Sequence, residues 1–132
     1  MLQTKKLHFI VIDDSKLDCF IAEKIIKNTG KSESIRSFLQ AEEAIKFIAT
    51  TPHQADGGHT IILVDIQMPI MNGFEFVEAF EKLTGDIRVA YTIYVISSSI
   101  NEDDIHKLQT YASVKQFLNK PINSNMLASL LG

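Results

Sequence analysis

Short apolar runs alternate five times with longer amphipathic stretches along this chain, and that alternation limits the folds it can adopt. The runs are His8–Ile12, Ser34–Phe38, Thr60–Val64, Tyr91–Ile96 and Val114–Leu118. The third and fourth runs are nearly continuous in β-branched and aromatic residues, which is typical of parallel strands covered on both faces. We therefore predict five strands, each followed by a helix.

The stretches that follow the five runs carry apolar residues at helical spacing. We predict helices over Ser15–Asn28, Ala41–Thr50, Gly73–Leu83, Asn101–Ala112 and Asn123–Leu131. The first opens at Ser15 with Asp18 three residues later, which resembles a capping box, and it stops at Gly30. The polar, glycine-containing segment Pro52–His59 is predicted to be a loop.

Repeated strand–helix alternation predicts an α/β domain with a five-stranded parallel sheet. Right-handed crossovers would place helices on both faces, which gives a doubly wound fold. In such sheets ligands bind beyond the carboxyl ends of the strands. We expect one domain over residues 1–132, with a core from about residue 8 to residue 131 and no output domain.

Composition and charge exclude several classes of protein. Hydrophobic residues make up 45% of the 132 residues, as in an ordinary globular domain, and the net charge of −3 gives no basic surface for nucleic acid or an anionic membrane. The only cysteine, Cys19, cannot form an intramolecular disulfide and fits a reducing compartment. The apolar run near the N-terminus is too short for a signal peptide or a membrane span. We expect a cytoplasmic monomer.

Chemically reactive side chains follow four of the five predicted strands. Asp13 and Asp14 follow the first strand, Asp65 the third, Ser97 the fourth and Lys120 the fifth. Three carboxylates at one edge would repel one another unless a cation intervened, and Mg²⁺ prefers oxygen ligands. A carboxylate can also attack phosphorus, and phosphoryl transfer needs mainly positioning and charge neutralisation. The pattern predicts Mg²⁺-dependent phosphoryl chemistry at this edge.

These residues resemble the receiver domains of two-component response regulators over nearly the whole chain. The most specific segment is residues 61–73, IILVDIQMPIMNG, in which Asp65 occupies the place of the phosphoacceptor. The Asp13–Asp14 pair and the Lys120–Pro121 pair are similar to the acidic pair and the Lys-Pro pair of the family. The resemblance implies a flavodoxin-like (βα)5 fold with strand order 2-1-3-4-5.

The resemblance also implies how the acidic residues act. Asp65 would accept a phosphoryl group from a sensor histidine kinase or a histidine phosphotransfer protein. Asp14, Asp65 and the backbone carbonyl of Gln67 would bind Mg²⁺ directly, and Asp13 would help through water. The chain would catalyse only its own phosphorylation and dephosphorylation, so it would be a signalling phosphoacceptor and not an enzyme.

The remaining site residues would read out the phosphorylation. The resemblance implies that Lys120 pairs with the phosphoryl oxygens, that Ser97 donates a hydrogen bond to one of them, and that the peptide bond before Pro121 is cis. Ser97 and Phe117 would form the switch that changes the affinity of the fourth predicted helix, last strand and last helix for a target protein. Phe117 replaces a frequent Tyr of the family and offers no hydroxyl.

Two other readings remain open from the residues. A haloacid-dehalogenase-like phosphatase would need a second Asp two residues after Asp65, where this chain has Gln67. A degenerate receiver would serve as an interaction module without phosphorylation. The residues name no target, and they do not distinguish a chemotaxis-type effector from an intermediate that passes its phosphoryl group on. Gln67, where relatives often have Asn or Met, leaves the lifetime of the phosphorylated state open.

Overall fold

The structure, a computed structural model, describes residues 6–51, 58–99 and 101–131. The strands are β1 (Leu7–Ile12), β2 (Ser32–Phe38), β3 (His59–Asp65), β4 (Tyr91–Ser97) and β5 (Val114–Asn119). The helices are α1 (Lys16–Asn28), α2 (Ala41–Thr50), α3 (Gly73–Glu81), α4 (Gly85–Arg88), α5 (Glu102–Gln109) and α6 (Ser124–Leu131). None of these helices combines the length and the hydrophobicity needed to cross a bilayer.

The five strands form one parallel sheet in the order β2-β1-β3-β4-β5. This confirms the doubly wound, flavodoxin-like fold and the strand order that the sequence implied. The chain reverses its direction of winding after β2, so β1 and β3 are neighbours at the centre of the sheet. Ligand sites of such sheets lie at that reversal, beyond the carboxyl ends of the strands.

Alternate residues of the central strands pack into two separate apolar cores. On β1, Phe9 and Val11 face the layer that contains α1 and α6, whereas Ile10 and Ile12 face the layer that contains α2, α3 and α5. Because successive side chains of a strand point to opposite faces, a central strand with consecutive apolar residues supplies both cores. All four of these side chains are at most 3% exposed.

The structure corrects the predicted elements at a few places. The short helix α4 was not predicted, because four residues carry no periodic apolar signal. Helix α5 ends at Gln109, three residues before the predicted end, and α3 ends at Glu81. The predicted loop Pro52–His59 lies mostly outside the described residues, but His59 is not part of a loop, since it begins β3 and pairs with Leu7.

Candidate functional site

Three carboxylates meet where the two central strands end. Asp13 follows β1 directly, Asp14 comes next, and Asp65 is the last residue of β3. One oxygen from each lies within 4.8 Å of the others. Asp13 and Asp65 are only 1% and 5% exposed, whereas Asp14 is exposed to solvent. The sequence therefore placed these three acids correctly at one edge of the sheet.

Backbone groups hold the two buried carboxylates in position. The amide of Ser15 donates to Asp13 Oδ1 over 3.0 Å, and the amide of Gln67 donates to Asp65 Oδ1 over the same distance. Burial raises the pKa of Asp13 above its ordinary value, although hydrogen bonds from Lys120 and Ser15 act in the opposite direction. A carboxylate that is this deeply buried needs a positive partner nearby.

Lys120 supplies that partner from the end of β5. Its Nζ donates to three carboxylates: Asp13 Oδ2 at 2.7 Å, Asp18 Oδ2 at 2.8 Å and Asp65 Oδ2 at 3.1 Å. Burial lowers the pKa of Lys120, but the three carboxylates together raise it above its usual range. The peptide bond between Lys120 and Pro121 is cis. The ammonium of Lys120 therefore lies between the carboxylates of Asp13, Asp18 and Asp65.

Asp18 is the site residue that the sequence analysis missed. Its backbone amide is capped by Ser15 Oγ over 3.1 Å, as the capping motif predicts. The reciprocal bond is absent from the described part of the cap, because the Ser15 amide donates to Asp13 and the Asp18 side chain turns to Lys120. One signal was available: Asp18 precedes Cys19, Ala22 and Ile26 on the inward side of α1, where an acid needs a partner.

The loop after β3 folds back closely behind Asp65. The amide of Gly73 donates to the carbonyl of Ile66 over 2.9 Å. A Cβ at position 73 would lie 2.7 Å from the Asp65 carbonyl oxygen and 2.7 Å from Ile66 Cα. Only glycine fits this approach, so the residue at the start of α3 helps to fix the backbone that carries Asp65.

The other predicted site residues surround this group. Ser97, fully buried at the end of β4, donates its hydroxyl to the Ser99 carbonyl over 2.8 Å and accepts from the Ser99 amide over 3.2 Å. The exposed side chain of Gln67 also reaches the Ser99 carbonyl, at 3.5 Å. Phe117 is half-buried against the core of the α2, α3 and α5 layer. Their roles in phosphorylation stay predictions.

The donor set of the site suits a hard divalent cation. The ammonium of Lys120 contacts Asp13, Asp18 and Asp65, and Asp14 lies close to two of them, so these four carboxylates outweigh the charge of that ammonium. Mg²⁺ sites typically combine a few carboxylate oxygens with several water molecules, so they need both clustered acids and access to solvent. Asp13, Asp14 and Asp65 therefore fit such an ion.

Comparisons with known proteins agree with this geometry. The family model of the response regulator receiver domain matches residues 9–131. A two-component response regulator of Arabidopsis thaliana, number 24, is 25% identical over 130 residues, which are 98% of this chain and 85% of that protein.

Two solved structures are similar to this chain along nearly their whole length. A response regulator receiver protein from Dyadobacter fermentans is 35% identical with a TM-score of 0.84, and the match covers 95% of this chain and 94% of that one. A two-component response regulator from Cytophaga hutchinsonii is 27% identical with a TM-score of 0.80, over 96% and 95% of the two chains.

Proposed function

Since the chain belongs to the response regulator receiver domain family, we propose that it accepts a phosphoryl group on Asp65 and thereby changes its affinity for a partner protein. The observation that carries this proposal is the contact of 3.1 Å between Lys120 Nζ and Asp65 Oδ2, beside Asp13 and Asp14. This contact supports the proposal because a carboxylate can act as a nucleophile toward phosphorus when a nearby positive charge offsets the charge of the phosphoryl group.

The reaction is transfer from a phosphohistidine of a kinase or a phosphotransfer protein. An oxygen of the Asp65 carboxylate attacks phosphorus, the new P–O bond forms, and the P–N bond to the imidazole breaks with its electron pair left on nitrogen. Lys120 offsets the negative charge that the phosphoryl oxygens bring into the site. Hydrolysis of the acyl phosphate later returns the carboxylate, so the chain acts as a phosphoacceptor and catalyses no other turnover.

Mg²⁺ is the cofactor that we propose for this step. Asp14, Asp65 and the Gln67 carbonyl would hold it, with Asp13 acting through water. When bound, the ion would neutralise charge on the phosphoryl oxygens. The residues of the chain orient its ligands: the Ser15 and Gln67 amides fix Asp13 and Asp65 by their hydrogen bonds.

The proposed readout passes from Ser97 to Phe117. The Ser97 hydroxyl would leave the Ser99 carbonyl, with which it bonds at 2.8 Å, and donate to a phosphoryl oxygen. Phe117, which is half-buried, would then move inward. The surface of α5, β5 and α6 changes with it, which shifts the population between two packings and the affinity for a target. We place this signalling in the cytoplasm, where phosphorylated kinases supply the donor.

Intact mass spectrometry with acetyl phosphate and Mg²⁺ tests the proposal. We expect a gain of about 80 Da, one phosphoryl group, that disappears without Mg²⁺ and in an Asp65→Asn variant. If no adduct survives, beryllofluoride, which mimics the phosphoryl group, is titrated by NMR. Unchanged resonances around Asp65 and Phe117 in that titration would contradict the proposal.

The alternative of a degenerate receiver gains no support from the site. A module without phosphorylation has no use for a buried Asp65 that contacts Lys120 or for a second buried acid, Asp13, beside it. Burial of these two carboxylates, at 1% and 5% exposure, costs stability, and a phosphoacceptor site gives a reason to keep them.

A further inference from the structure

We propose that Asp18 is a positioning residue, which holds Lys120 on the α1 side of the site and so weakens the ion pair that Lys120 forms with an incoming phosphoryl group. The inference rests on the proposed function of Asp65. It concerns an acid that is not one of the three clustered carboxylates, since Asp18 lies in the first turn of α1 and its contact with the site is the one to Lys120.

The three donors of the Lys120 ammonium are all in use. Asp13 and Asp18 lie 2.7 Å and 2.8 Å from Nζ, and Asp65 is the most distant of the three at 3.1 Å. An ammonium has three N–H donors and no more. A phosphoryl oxygen on Asp65 can therefore gain a full hydrogen bond from Lys120 only if one of these contacts is given up.

Burial decides which contact is exchanged. The side chain of Asp13 is 2% exposed, and loss of its contact with the ammonium would leave a buried charge without compensation. The side chain of Asp18 is 39% exposed and returns to water at low cost. Space for the movement exists, because Lys120 and Asp18 both line a groove of about 320 Å³ between α1 and the segment after β5.

The contact between Asp18 and Lys120 must accordingly loosen when the site takes a phosphoryl group. Breaking this contact costs free energy, and that cost reduces the affinity of the site for the phosphoryl group. Replacing Asp18 with Asn keeps the shape of the side chain, removes the charge and releases the ammonium. Because the pair is partly exposed, we expect beryllofluoride to bind about 2- to 5-fold more tightly to Asp18→Asn, and the phosphorylation rate with acetyl phosphate to rise by a similar factor.

The experiment compares the wild type, Asp18→Asn and Asp18→Ser at saturating Mg²⁺. The shorter serine cannot reach Lys120, so it should shift the affinity in the same direction. Glu43→Gln, an exposed acid in the first turn of α2, is the matched control for charge and should bind beryllofluoride as the wild type does. Equal affinities in the wild type and both Asp18 variants would overturn the inference.

A double-mutant cycle separates positioning from a general effect of charge or of structure. In a Lys120→Gln background, Asp18→Asn should leave the beryllofluoride affinity unchanged, since Asp18 then has no ammonium to hold. An undiminished gain in that background would contradict a role through Lys120. Failure of the proposed function is distinguishable, because the wild type would then bind no beryllofluoride and acquire no phosphoryl group, and both proposals would fall together.

Discussion

Ile70 has a backbone conformation that its side chain disfavours. Its φ is 68°, in the left-handed region, where a β-branched residue is strained by about 1–2 kcal/mol. The amide of Met71 donates to the carbonyl of Pro69 over 2.8 Å, which closes a three-residue γ-turn around Ile70. The side chain is 77% exposed and so recovers little of that free energy by burial. Strain of this kind beside a candidate site often accompanies function.

We predict that Ile70→Gly raises the free energy of unfolding by about 0.5–1 kcal/mol, because relief of the strain exceeds the entropy that glycine adds to the unfolded chain. Urea denaturation measures the change. Val89→Gly is the control, since Val89 is equally exposed at 76% but has a φ of −65°. That variant should be destabilised, and a loss of stability in both variants would contradict the strain at Ile70.

Cys19 is predicted to resist thiol reagents in the folded protein. Burial, together with the charge of Asp13, raises the pKa of its thiol to about 11, and its Sγ donates to the Asp13 carbonyl over 3.3 Å. Since the thiolate is the reactive form, the native chain at pH 8 should react with iodoacetamide about 100-fold more slowly than the urea-unfolded chain. Similar rates in the two states would mean that the α1 face opens readily.

At the scale of elements, periodicity predicted what depends on the sheet. The central strands are mostly apolar, and the carboxyl ends of parallel strands lie at one edge of the sheet, so Asp13, Asp65 and Lys120 could be assigned to one site before the fold was known. Periodicity could not predict α4, whose four residues make about one turn. Periodicity places Asp18 on the inward side of α1 but does not predict its contact with Lys120, because that contact depends on how α1 packs against the segment after β5 and on the Ser15 amide donating to Asp13.

The junction between β3 and α3 leads to a prediction about Gly73. Gly73→Ala should lower the free energy of unfolding by about 1–3 kcal/mol and weaken phosphorylation of Asp65, because the new Cβ would meet the Asp65 carbonyl at 2.7 Å and displace that backbone. Chemical denaturation and acetyl phosphate labelling measure the two effects.

Gly85→Ala is the matched control for that substitution. Among the described residues, a Cβ at position 85 would have only Arg88 Nη2 within reach, at 4.0 Å, so the variant should fold and label as the wild type does. Equal effects of the two alanines would show that loss of a glycine, and not the contact with Asp65, is responsible.

At the scale of the whole molecule, the fold concentrates negative charge at one edge of the sheet. The chain as a whole carries a net charge of −3, yet Asp13, Asp18 and Asp65 share the ammonium of Lys120, and Asp14 lies beside two of these acids. Mutual repulsion of these carboxylates opposes folding, and burial of two of them adds to the cost. A divalent cation that binds the folded chain but not the unfolded one would offset this repulsion.

Mg²⁺ is therefore predicted to stabilise the fold, and the effect should be specific to the site. At ten times its Kd, binding would raise the free energy of unfolding by about 1.4 kcal/mol, which corresponds to roughly 5 °C in Tm for a chain of this size. Differential scanning calorimetry with NaCl at matched ionic strength separates binding from screening. Asp14→Asn, which changes an exposed acid proposed as a ligand without disturbing the core, should lose most of the increase. An equal rise in that variant would mean that Mg²⁺ acts on the charge of the whole surface, and that the acidic edge is no metal site.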